Sequence, residues 1–227
     1  MATAYFMQLV VDMTKADKDQ EHIEMLIHSR PQTPDRTSYI IGESKESPLE
    51  DLLAMEEALL SQGCEVIAIP CITAHYFQKD LEANAKGAYV ISAIEDTAKY
   101  LADRGITAAG LMATDGTVRS KLFQETFKSN GIELIIPDEE NQRNVMHLIY
   151  EDVKKGKALE MDKFTCVNNY LINKGAQVVL LGCTELSMIK RDAETGPDVL
   201  DVMEVLAREA VLACGQLKEE YAELITR

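Results

Sequence analysis

The chain has 227 residues, 46% of them hydrophobic, and a formal charge of −15 from 23 Lys and Arg against 38 Asp and Glu. That is enough apolar material for one large α/β domain or two small lobes, and the acidic balance argues against sequence-independent binding to nucleic acid or anionic membrane, which needs clustered cations. No apolar stretch approaches the roughly 20 residues that span a bilayer, the start lacks a signal peptide's basic flank, and five cysteines show neither a CxxC pair nor zinc spacing, so a cytosolic protein with reduced thiols and no metal site is expected.

Residues 2–14 place Tyr5, Phe6, Leu9, Val10 and Met13 on one helical face. A polar connection leads to IEMLIHS, read as a strand, and then to the Pro-rich loop RPQTPDRTSYIIG, which holds Arg30 and Arg36. SPLEDLLAMEEALLSQG reads as a helix capped by Ser47, with Pro48 at its first position and Gly63 at its end. The run VIAIP then leads into Cys71, followed by a helix over HYFQKDLEANAK, a strand at AYVISA and a helix closed by Gly105. The second half runs as a strand and loop (ITAAGLMATDGT), one helix (VRSKLFQETFKSNG), a strand (IELIIP) and two more helices. The strand VVLL then leads to Cys183, and PDVLDV onward is either one long helix or a short strand and a helix. Strands alternating with helices at this spacing predict a parallel sheet in each half.

VIAIPCITAH and VVLLGCTEL are alike: each is a buried-strand run that ends in a cysteine with a Thr one or two residues on. Both thiols then lie where a strand gives way to a helix, the edge at which open α/β sheets bind ligands. The span from His22 to Cys71 nearly equals that from Ile132 to Cys183, which points to an internal duplication with the two cysteines facing across a cleft. Residues 1–97 plus 198–227 are expected to form lobe 1, and 98–197 lobe 2. The second half has a strand ahead of its first helix and the first half has none, so lobe 1 is expected to lack its first strand. Cys64, Cys166 and Cys214 read as helix packing, and His22, His28 and His147 as surface or core histidines.

Removing a Cα proton on one face and returning one on the other needs a base and an acid that exchange roles, and two thiols of equal reference pKa suit it. A helix N-terminus behind each raises the thiolate fraction, and His75 and Glu185 are placed to tune the two sulfurs differently. A turnover near 10 per second corresponds to a barrier of about 16 kcal/mol, which two bases alone cannot reach. Donors must therefore grip the carboxylate as the carbanion forms, and Thr73, Thr114, Thr117 and Thr184, each in a strand-to-helix loop, are the candidates.

The segments PQTPDRT, IPCITAHYF, LMATDGT, PDEENQ, IYEDVKKG and LLGCTEL together resemble the aspartate/glutamate racemase family over nearly the whole chain. The resemblance implies two pseudo-symmetric α/β lobes, no pyridoxal phosphate or other cofactor, catalysis by Cys71 and Cys183, and a homodimer. It also implies a small amino acid as substrate, aspartate ahead of glutamate, with its side-chain carboxylate held by Arg36 and by Lys154, Lys155 lying one register away. Two departures stand out. The family's opening strand and GGMGP-like loop do not precede the first helix, and Ile72 stands where an Asn commonly follows the first cysteine, which removes an amide from the loop that binds the carboxylate. A maleate isomerase or hydantoin racemase of the same superfamily, and a protein that binds an acidic amino acid without turning it over, are the alternatives.

Overall fold

The computed structural model describes residues 2–226. Its first helix, α1 (Ala2–Met13), buries Leu9, Val10 and Met13, three positions on one face of a 3.6-residue period. Residues 23–30 run without regular structure, which corrects the strand expected at IEMLIHS. A strand is defined by its partner. No described strand lies beside this segment, and Leu26 and Ile27 stay exposed. The Pro-rich loop contains a short helix not expected there, α2 (Arg36–Ile40), whose N-cap Asp35 accepts from the Ser38 N–H. α3 (Leu49–Leu60) follows; Ser47 Oγ accepts from the Leu49 N–H at 3.2 Å.

β1 (Val66–Ile67) is short and pairs in parallel with β2 (Tyr89–Val90), which follows α4 (Gln78–Asn84). The chain between β1 and α4 is a 3₁₀ turn over Ile72–Phe77 instead of the α-helix expected from His75. α5 (Ala93–Ala102) leads to β3 (Ala108–Met112). The single helix expected next is two, α6 (Asp115–Ser120) and α7 (Leu122–Ser129), broken at Lys121, whose φ of 60° is left-handed. After β4 (Glu133–Ile135) and α8 (Glu139–His147) the helix widens into a π turn over Leu148–Val153. α9 (Met161–Asn173), β5 (Val178–Leu181), α10 (Thr184–Asp192), β6 (Val199–Asp201) and α11 (Val202–Cys214) complete the order. PDVLDV is therefore a strand followed by a helix.

The two sheets are unequal. Lobe 1 has β1–β2 alone and lobe 2 has four parallel strands in the order β4-β3-β5-β6, so lobe 1 is two strands narrower. Residues 198–227, expected to return to lobe 1, contribute β6 as an edge strand of the four-stranded sheet, and α11 then packs on α1 and α5. All four residues of β5 are buried, as a parallel strand covered by helices on both faces requires. The main core joins α1, α5 and α11 to this sheet, with Phe123 and Phe127 fully enclosed. Lobe 1 keeps a small core of its own around Leu52, Ile67, Phe77, Leu81 and Val90. No helix among the described residues is long and apolar enough to cross a membrane.

One close approach binds the halves. α2 lies so near α6 that a Cβ on Gly116 would meet the Thr37 Cα at 2.9 Å, a backbone contact that no rotamer relieves. Gly116→Ala is therefore expected to cost about 1–3 kcal/mol, the usual price of overpacking, seen as a lower urea midpoint at unchanged slope.

Candidate active site

The loops that leave β1, β3 and β5 converge on a cavity of about 500 Å³. Cys71 and Cys183 both line it, as do Arg36, Ile72, Thr73, Thr114, Lys154, Thr184 and Glu185. Cys71 follows Pro70 in a tight turn, its N–H donating to the Ile69 carbonyl at 2.7 Å; it caps the 3₁₀ turn in extended conformation (φ −150°, ψ 96°). Cys183 caps α10 in the same way (φ −148°, ψ 136°). Both thiols thus stand at the start of a helical turn, at the carboxyl end of a parallel strand.

Their surroundings differ. Cys183 is buried, and its sulfur lies 3.0 Å from Glu185 Oε2, an S–H donating to a carboxylate. Burial, then the Glu185 charge and this hydrogen bond, push the Cys183 thiol well above its ordinary pKa. Cys71 is half-buried beside a cation. Burial works against the Arg36 charge, but Cys71, through charge and a side-chain hydrogen bond, and then Asp35 and Glu185 outweigh it, so the Arg36 pKa is raised. Arg36 is oriented by the carbonyls of Thr33 (3.2 Å) and Pro34 (3.0 Å), to which Nη1 donates. The proline-rich loop therefore acts as the arginine's clamp.

Lys154 reaches the cavity from the π turn, its Nζ 3.8 Å from the Tyr150 ring centroid and 4.0 Å from Asp35 Oδ2. Lys155 instead pairs with Glu151 at 2.7 Å, so the helical register separates the two lysines. The π turn is braced from its other side by Asp152, whose Oδ2 accepts from the Glu160 N–H, and by His147, 2.7 Å from Glu160 and 3.3 Å from Asp152. Asp35 is not legible in the sequence as a partner of Lys154 because more than a hundred residues separate them, whereas Tyr150 stands four residues before the lysine, a spacing that could have marked it.

Three buried hydroxyls link the lobes. Thr73 Oγ1 lies 3.2 Å from Thr114 Oγ1 and 3.1 Å from Thr117 Oγ1, and the last two are 3.1 Å apart. Thr114 also caps α6 by accepting from the Thr117 N–H. Thr117 is not among the residues that line the cavity; it completes the triangle behind Thr114. Thr184 contributes its hydroxyl toward Glu185 Oε2 at 3.4 Å. Ile72 is buried in the main core with its edge on the cavity. His75 is also buried but does not line the cavity, and its Nδ1 meets Gln78 Oε1 at 2.9 Å. Burial, against the pull of Gln78, lowers its pKa and keeps it neutral.

Two thiols line one cavity at the strand ends of two α/β lobes, with Arg36, Lys154 and the hydroxyls of Thr73, Thr114 and Thr184 around it, and the fold is that of racemases. The chain belongs to the Asp/Glu/hydantoin racemase family, whose sequence profile matches residues 1–210. It is similar in structure to the aspartate racemase of Picrophilus torridus (26% identity, 97% of this chain and 92% of that one, TM-score 0.80). An aspartate racemase homologue from Pyrococcus horikoshii OT3 shares the fold at 22% identity (93% of each chain, TM-score 0.73). In sequence it is 24% identical, over 92% of each chain, to the broad specificity amino-acid racemase RacX of Bacillus subtilis.

Replacing the Glu185 carboxylate removes the anion that holds the Cys183 proton. Glu185→Gln is expected to move the onset of Cys183 alkylation to lower pH, read by peptide mass spectrometry after iodoacetamide pulses, with the onset at Cys71 moving less.

Proposed function

We propose that this chain racemises an acidic amino acid, aspartate first and glutamate second, by two-base proton transfer without a cofactor. The observation that carries this reading is the opposite setting of two thiols on one cavity, Cys71 beside the Arg36 guanidinium and Cys183 donating to Glu185. Cys183, whose proton Glu185 holds, is the acid for one enantiomer, and Cys71 is the base. Cys71 takes the Cα proton from one face, and Cys183 delivers its own proton to the other; the product is the opposite enantiomer, with Cys71 now protonated and Cys183 ionised. The second enantiomer is processed from that state, or the proton is returned through solvent.

The α-carboxylate is held by loop N–H groups and by the hydroxyls of Thr73, Thr114 and Thr184, which turn their protons from one another and from Glu185 toward the substrate and strengthen as charge moves onto it in the carbanion. The side-chain carboxylate lies between Arg36, which grips bidentately, and Lys154, a mobile point charge. Lobe 1 carries Cys71 and Arg36, and lobe 2 carries Cys183, Thr114 and Lys154, so a substrate is completed from both sides of the cleft. His75 serves as a brace for the turn after Cys71. The family resemblance further supports a cytosolic homodimer.

A second reading, acceptance of larger side chains, is favoured by the apolar part of the cavity lining, which includes Leu52, Met55, Leu59, Ile67 and Leu81. It also accords with the broad specificity named for the Bacillus subtilis relative.

Incubation in deuterated water with each enantiomer of a panel of amino acids is expected to label Cα of aspartate. Cys71→Ser and Cys183→Ser each lower that rate about 10²–10⁴-fold, the usual range for one general acid or base. Arg36→Ala raises KM for aspartate more than for alanine. Labelling absent from every acidic amino acid removes the reading, and labelling that favours long neutral side chains selects the second.

A further inference from the structure

Behind the helix that presents Cys183 lies a closed polar cluster that the proposed chemistry does not use. Asp201, at the end of β6, is fully buried. Its Oδ1 accepts from Ser187 Oγ at 2.8 Å and from the Met203 N–H at 2.9 Å, whereas Oδ2 is enclosed with no hydrogen-bond partner among the described residues. Glu204 of α11 pairs with Lys190 of α10 at 2.8 Å, and Lys190 also donates to the Leu224 carbonyl at 3.4 Å. From α1, Tyr5 faces the same site, with the Arg191 guanidinium 5.5 Å from its ring centroid and Asp12 acting on it from its own helix. Two carboxyl groups therefore share one ammonium, and Glu204 holds it. Ser187 in turn donates its N–H to the Cys183 carbonyl at 3.3 Å, so a single residue joins Asp201 to the one that bears the thiol.

We propose that Asp201 is a positioning residue for Cys183: as the neutral acid, it seats the first turn of α10 through Ser187 and keeps a second negative charge away from the Glu204–Lys190 pair. The inference rests on the reading of Cys183 as a reacting thiol. Burial first, and then the Glu204 charge, push the Asp201 carboxyl up to about 7, against the Met203 N–H, Ser187 and Lys190. An ionised Asp201 competes for Lys190, because a carboxylate without a counter-charge is costly in a closed site. The contact between α10 and α11 that carries this ion pair then loosens, and Cys183 moves with α10. Asp201 also caps α11, but Asn caps a helix as well as Asp does, so Asp201→Asn keeps the cap and removes only the titration.

The test compares Asp201→Asn with wild type from pH 5.5 to pH 9 by two readouts, Cα deuterium exchange on aspartate and Cys183 alkylation by iodoacetamide. Below about pH 6 the two proteins are expected to match. By pH 8.5 the variant exchanges at least about threefold faster than wild type, and wild-type Cys183 alkylates faster than that of the variant because its helix is looser. Ratios that stay constant with pH overturn the proposal. Glu204→Gln supplies a second arm on a different residue: removing that neighbouring charge is expected to move the wild-type inflection to lower pH, and an unmoved inflection overturns the proposal as well. Alkylation needs no substrate. Its pH-dependent ratio with no exchange on any amino acid would sink the racemase reading alone, whereas flat alkylation with normal exchange would sink only the role of Asp201.

Discussion

Three threonine hydroxyls set the geometry on which the rest depends. Thr73 comes from the turn after β1, and Thr114 and Thr117 from the turn after β3, so their contacts at 3.1–3.2 Å fix the distance between loops of different lobes. Each hydroxyl has one proton to give and lone pairs to receive with, which lets the triangle close on itself in a site where an unmade hydrogen bond costs about 1–3 kcal/mol. Gly116 permits this closeness by leaving room for Thr37. Two residues before Thr73 stands Cys71, so the loop held by the triangle is the loop that presents the first thiol.

Pseudo-symmetry of backbone is combined with asymmetry of charge. Both cysteines cap a helical turn in extended conformation at the end of a parallel strand, but one is placed beside an arginine and the other beside a glutamate. Arg36 is held by carbonyls of its own loop, while Glu185 lies in the first turn of the helix that Cys183 caps. In an overall acidic chain, local cations at the cavity are what make an anionic ligand tolerable, since field strength at a few ångströms outweighs net charge at a distance.

Much of the fold was legible in the sequence. The alternation of strand runs with amphipathic helices gave the parallel sheets of both lobes, and the resemblance between VIAIPC and VVLLGC marked the two sheet edges before any coordinate did. IEMLIHS misled because apolar alternation predicts the tendency to be a strand, whereas the hydrogen-bond ladder needs a neighbour that only the sheet supplies. The helix after β3 broke at Lys121, and HYF became a 3₁₀ turn, because packing against the facing lobe overrides propensity over a few residues. Thr117 and His75 share strand-end loops with cavity residues but turn away from it, and spacing along the chain does not say which way a side chain turns.

The sequence by itself determined what depends on near neighbours: which segments are amphipathic, where strands end, which residues cap helices, and that two thiols occupy equivalent corners. Only the tertiary structure decided what depends on closing long loops. It brought Lys154 within 4.0 Å of Asp35, put Arg36 beside Cys71, joined Thr73 to Thr114 and Thr117, and buried Asp201 with more acid than base around it. The physical reason is range. Local periodicity is written in residues three or four apart, whereas the charge and burial that govern a thiol are set by atoms a few ångströms away in space and often a hundred residues away along the chain.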